Sequence, residues 1–244
     1  MTNKIGRLLA AAALFVSLPL SAATLGSGVE RLSYSWHMQG GLSWLTRLAF
    51  PSSGMGTLET NQASTVSSRL MINASDPHTF YLYESQMIPS GTTTLMSRSA
   101  YSYGDNARDE RVAFDPANGV ARIQRTSNAH TETGLHKLES ATPQDVLTSI
   151  YYLRQHADEI TMPRQAKIFS GAKGYDVLFV PQPVTTLRVD SADQSVRPFV
   201  IKSVGKGEHY PGEVRVWLSS DAGHTPVRID IEQKYATLKL DLQR

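Results

Sequence analysis

From Arg31 the apolar residues of this chain recur at every second position. Leu32, Tyr34, Trp36 and Met38 alternate with Ser33, Ser35 and His37, and after Gly40-Gly41 the run resumes with Leu42, Trp44, Thr46, Leu48 and Phe50. Side chains on a strand point to opposite faces in turn, and a glycine pair tolerates the positive φ of a tight turn, so this stretch predicts a β-hairpin. Residues 51–64 are polar and carry glycines, which predicts a loop or a wide crossing. Alternation returns at 65–73, 79–87 and 92–103, then on either side of Asp115-Pro116-Ala117-Asn118-Gly119, a turn sequence. The polar stretch 126–141, with His130 and His136, predicts an exposed loop.

One segment has a different period. In 142–160, Val146, Ile150, Leu153 and Ala157 fall on one helical stripe, with Thr142 as the expected N-cap and Pro143 at the first helical position. Period two resumes in a hairpin around Gly171–Gly174 and in five further runs, 184–189, 199–204, 214–218, 227–231 and 235–242. A dozen or so strands with one helix predicts an all-β fold. The expected form is a single large antiparallel sheet, strongly curved or partly closed, with the α-helix packed on it, because a sheet that wide does not stay flat and open.

The first residues change the compartment. Lys4 and Arg7 precede the apolar run Leu8–Leu18, Pro19 breaks it, and Ser21-Ala22-Ala23 supplies small residues for cleavage. That is the pattern of a secretory signal, too short to span a bilayer. The expectation is a cleaved signal over 1–23, a single β-rich domain over 24–244, and a periplasmic location with no transmembrane segment. There are no cysteines, so neither a lipid-bearing cysteine nor a disulfide framework is available. The chain has 24 Lys+Arg against 22 Asp+Glu; removing Lys4 and Arg7 leaves 22 against 22, and no basic block points to nucleic acid.

Candidate chemistry concentrates in 214–231, where Ser219, Ser220, Asp221 and His224 crowd together. Asp221-Ala222-Gly223 and Pro226 are turn residues between Val214/Val216/Leu218 and Val227/Ile229/Ile231, so the group reads as an exposed hairpin tip. A triad needs members brought from separate elements and an oxyanion hole, and no G-x-S-x-G is present. The seven histidines lack metal-ligand spacing, and no glycine-rich nucleotide loop occurs. No catalytic residue, metal centre or cofactor is expected. A hydrolase would have to draw on scattered carboxylates such as Asp176, Glu213, Asp221 and Asp230. The remaining candidates are aromatic: Tyr34, Trp36, Trp44, Tyr81, Tyr83 and Trp217 could line a concavity for an apolar or amphipathic ligand, or serve as core.

Taken in order, the early Tyr34-Ser35-Trp36, then "RVAFD", Tyr151-Tyr152-Leu153-Arg154 on the helix, "GYDVLFV", and Trp217-Leu218-Ser219-x-Asp221 with Pro226-Val227-Arg228 resemble the bacterial secreted family termed domain of unknown function 3108. The resemblance spans nearly the whole mature chain. It implies a signal peptide and a curved sheet with one helix, and no activity or catalytic residue. A fold-level likeness to the half-barrel carriers that shuttle lipoproteins across the periplasm accompanies it. The function expected is a non-enzymatic periplasmic protein that binds a lipid, lipoprotein or envelope glycolipid, or an envelope protein partner, on its sheet; the alternative is an assembly factor without a small-molecule pocket.

Overall fold

A computed structural model describes residues 28–40, 52–76, 78–189, 191–204, 212–232 and 236–243. The expected signal segment 1–23 and Trp44 lie outside them. The strands are β1 (Val29–Gln39), β2 (Ser53–Gln62), β3 (Val66–Ala74), β4 (Phe80–Met87), β5 (Thr94–Tyr103), β6 (Asn106–Asp115), β7 (Val120–Ser127) and β8 (His130–Lys137). After helix α1 (Val146–Gln155) come β9 (Arg164–Ser170), β10 (Lys173–Pro181), β11 (Thr185–Val189), β12 (Ala192–Ser203), β13 (Val214–Ser219), β14 (Pro226–Glu232) and β15 (Thr237–Gln243). All fifteen belong to one sheet in the order β8-β7-β6-β5-β4-β3-β2-β1-β15-β14-β13-β12-β10-β9, with β11 beside β12. Two antiparallel meanders thus meet where β1 pairs with β15.

The sheet curls until its ends touch, but it is not closed. β6 and β9 are eleven positions apart in the order, about 53 Å if the sheet were flat at about 4.8 Å per strand. Yet Phe114 of β6 and Phe169 of β9 stack edge to face with centroids 5.5 Å apart. Side chains, not backbone hydrogen bonds, bring the two ends together. The concave face inside is dry over most of its extent, because Tyr34, Leu70, Ile72, Phe179, Phe199, Ile201, Val216 and Ile229 all point into one buried cluster.

The helix lies in that concavity. Residues Leu147 to Arg154 are all buried, so no face of α1 is left to solvent over those two turns. Its N-cap is Asp145 rather than Thr142: the Asp145 carboxylate accepts from the Thr148 N–H at 2.8 Å and from the Ser85 hydroxyl. The segment before it is taken up elsewhere, since the Pro143 carbonyl accepts from the Thr94 N–H.

Two expectations are corrected. The loop or wide crossing expected at 51–64 contains β2, whose inward positions Gly54 and Gly56 sit opposite Trp36 and Tyr34 of β1. A Cβ on Gly54 would lie 2.6 Å from the Trp36 Nε1, so this strand carries glycine to make room for its neighbour's indole. On β1 the neighbours are β2 and β15, and the second arm of the hairpin expected around Gly40-Gly41, residues 42–50, lies outside the described residues. The loop expected at 126–141 contains β8, reached from β7 by a two-residue turn with Asn128 at φ 44° and Ala129 at φ 69°.

On the convex face a row of charges crosses five strands in register. Arg31, Glu59, Arg69, Glu84 and Arg98 stand directly opposite one another on β1 to β5, and Arg98 continues to Asp109 at 2.7 Å. Each exposed pair contributes little alone, but a one-residue slip of any strand would turn its charge into the core. The row therefore selects the pairing more than it stabilises it.

Candidate functional site

Where the sheet fails to close, a pocket of about 790 Å³ opens between the inner face of β6–β8 and the β9–β10 hairpin. Glu110 is its floor. The residue is 4 % exposed and accepts from Arg108 Nη2 and Arg125 Nε, each at 2.6 Å. Burial works against this carboxylate, yet the two guanidinium hydrogen bonds outweigh it and hold the carboxyl below its ordinary range. Gly171, at the turn of the β9–β10 hairpin with φ 62°, presses against the same carboxylate; a Cβ there would lie 2.2 Å from Glu110 Oε1. Lys173 and Tyr175 face the pocket from the hairpin, and His136 from β8.

The neighbouring wall is also polar. Asp145 is buried, and that burial pushes its carboxyl up despite the hydrogen bonds from Ser85 and Thr148. The concave face thus has two parts, an apolar one filled by α1 and a charged one left open at the seam.

Over residues 72–243 the sequence matches the family described as "Protein of unknown function (DUF3108)". The chain belongs to this family. No curated protein matches it. Among solved structures it is similar to the crystal structure of a beta-barrel-like protein of domain of unknown function DUF1849 from Brucella abortus, at 10 % identity and TM-score 0.58, over 89 % of this chain and 97 % of that one. That likeness is one of fold, and it agrees with the barrel-like curl of the sheet.

In this DUF3108 protein the aromatic candidates do not gather at one place. Tyr34 and Trp36 are buried in the main core, where the Tyr34 hydroxyl donates to the Pro226 carbonyl and the Trp36 Nε1 to the Asn73 carbonyl, at 2.6 and 2.7 Å. Tyr81 and Tyr83 lie on the concave face of β4 and pack against that core. Trp217 points the other way, half-buried on the convex face between Arg215 and Arg228, whose guanidinium carbons lie 5.6 and 5.7 Å from its ring.

The crowded hairpin is a turn whose tip, Ser220 to Ala222, is exposed, whereas Ser219 and His224 are buried. His224 has φ 41° and is 4 % exposed; its Nδ1 lies 3.2 Å from the Ser219 carbonyl oxygen and its Nε2 3.1 Å from Asp158. The Ser219 hydroxyl donates to Asp221 and accepts from the Thr225 N–H. Neither imidazole nitrogen meets a serine hydroxyl, so the three residue types do not form a triad. Two of the scattered carboxylates are engaged locally, Asp176 with Lys167 and Glu213 with Arg215, whereas Asp230 Oδ2 lies 3.9 Å from Lys239 and its buried Oδ1 has no hydrogen-bond partner among the described residues.

Sequence reasoning missed Arg108, Glu110 and Arg125. A signal was present: Arg108, Asp109, Glu110 and Arg111 put charge on both faces of the first half of β6, so the inner face there is not part of an apolar core, which begins only at Val112 and Phe114.

The Glu110 cluster has a consequence for acid stability. A carboxyl with a lowered folded-state pKa stabilises the fold above its unfolded value, about 4.3, and that contribution is lost as pH falls through the folded value. Asp109, held low by Arg98, acts in the same sense, whereas the raised Asp145 favours the fold at lower pH and opposes them. The urea midpoint of the wild type should fall on acidification from about pH 5 to about pH 3. In Glu110→Gln the neutral-pH midpoint should be lower and the acid-induced fall shallower; an equally steep fall would show that this carboxylate is not a source of the dependence.

Proposed function

We propose that this protein is an exported, non-enzymatic component of the cell envelope, an assembly or scaffold factor that holds a protein partner at the open seam of its sheet. One observation carries the reading: among the described residues α1 and the main cluster fill the apolar part of the concave face, and the large pocket at the seam is the charged one around Glu110. A carrier of acyl chains needs an apolar cavity to take up their hydrocarbon. Arginine pairs and an unsealed sheet end suit a polar or polypeptide ligand better. The sequence features of 1–23 support export, and the mature chain is expected to begin at Ala23 or Thr24.

Native mass spectrometry of protein taken from the periplasm tests both parts. The expected result is the mass of the polypeptide alone, starting at residue 23 or 24. A stoichiometric acyl lipid retained by the folded protein would favour the carrier reading instead, and an intact Met1 on the folded protein would remove the export reading.

A further inference from the structure

We infer that β8 is a docking edge, at which an extended polypeptide segment alternating acidic and apolar side chains adds to the sheet as a further strand. The inference rests on reading the seam as a binding surface and says how the partner is held.

The backbone of β8 is available. The strand pairs with β7 at all eight positions without a bulge, and every residue except Gly134 is exposed. The Leu138 N–H donates to the Gly119 carbonyl at 2.8 Å, so the even-numbered residues turn their backbone groups toward β7. Thr131, Thr133, Leu135 and Lys137 therefore present N–H and C=O groups to the free edge. The opposite end of the sheet is treated differently: β9 is bridged by Gln144, whose carbonyl accepts from the Phe169 N–H. Edge strands are usually blunted by proline, by a bulge, by a covering segment or by charged side chains; among the described residues β8 has none of the first three, and of the last it carries Glu132 and Lys137. Such an edge is a template for strand addition.

The two faces beside β8 select what would pair with it. Alternate side chains of an added strand would point into the seam pocket, where Arg108, Arg125 and Lys173 stand against Glu110 and Glu132, while a further lining carboxylate, Glu139, pairs with Lys167 at 3.7 Å. Two of those arginines share the single Glu110 carboxylate, so the positive surplus lies at the pocket floor, within reach of an acidic side chain. The other side chains would point to the convex side, over a depression of about 690 Å³ where Met96 and Leu135 are 47 % and 66 % exposed. Acidic inward and apolar outward is the pattern that satisfies both.

The test uses two labelled synthetic peptides of about eight residues, one alternating valine and glutamate and one alternating valine and lysine, read by fluorescence anisotropy and hydrogen exchange on the full mature chain. The glutamate peptide should bind and slow exchange at the amides of Thr131, Thr133 and Leu135, and the lysine peptide should not. Thr133→Pro removes an outward donor without touching the β7 ladder, and should weaken binding by roughly tenfold or more with an unchanged circular dichroism spectrum. The exchange data need no variant, so they stand even if Thr133→Pro misfolds. Binding with no protection on β8, or equal binding of both peptides, would overturn the docking edge while leaving the seam as a surface. Absence of binding by either peptide would remove both readings. Protection of β8 that rises with protein concentration and without peptide would assign the edge to a second copy of this chain and overturn the inference.

Discussion

Arg154→Ala should lower the stability of the fold by about 3–5 kcal/mol, the loss expected when one member of a buried ion pair is removed. The guanidinium is 2 % exposed and ties three parts of the chain together. Nη1 and Nη2 donate to the two Glu30 oxygens at 2.6 and 3.0 Å, binding α1 to the first strand. Nε and Nη2 donate to the His224 and Gly223 carbonyls at 3.1 and 3.2 Å, binding it to the β13–β14 hairpin. Truncation would strip both carbonyls of this donor. Glu30 is 35 % exposed and can recover some hydration, so the lower end of the range is expected. Arg154→Lys should recover only part of the loss, because an ammonium cannot reproduce the planar fork. Urea denaturation decides the matter; a loss of less than about 1 kcal/mol for the alanine variant would mean that the helix is not anchored through this side chain.

Leu153→Ala should cost about 2–5 kcal/mol. Leu153 has no exposed surface and belongs to the cluster that joins α1 to the sheet. If the helix is a fixed plug, its neighbours cannot collapse into the space left behind, and the cavity term adds to the lost transfer energy. The outcome also bears on function. A variant that keeps full stability would show that the helix separates readily from the sheet, and a concavity that opens would return the acyl-carrier reading to contention.

The same residues show how far the pattern could be read. Strands β3 to β7 and β9 to β15 were legible because each buries one face, which imposes period two on the apolar residues. The helix was legible from its spacing, although Asp145 and not Thr142 caps it. β2 was hidden because Gly54 and Gly56 resemble turn residues until Trp36 and Tyr34 are known to stand opposite. β8 was hidden for another reason: an edge strand wet on both faces has no apolar alternation to detect. His224 was expected at an exposed tip, and nothing local indicated that Asp158, 66 residues away, would lie against it.

By itself the amino-acid sequence determined the fold class, the helix at 146–155 and its place between two runs of strands, and the resemblance to the family that residues 72–243 match. These follow from periodicity and local turn chemistry, which act over a few residues. Tertiary structure alone decided that the helix fills the concavity, that Arg108 and Arg125 converge on Glu110 against Gly171, and that β8 ends the sheet among the described residues. Each depends on how far the sheet curls, because curling brings together strands eleven positions apart in the sheet order, and no local pattern records that distance.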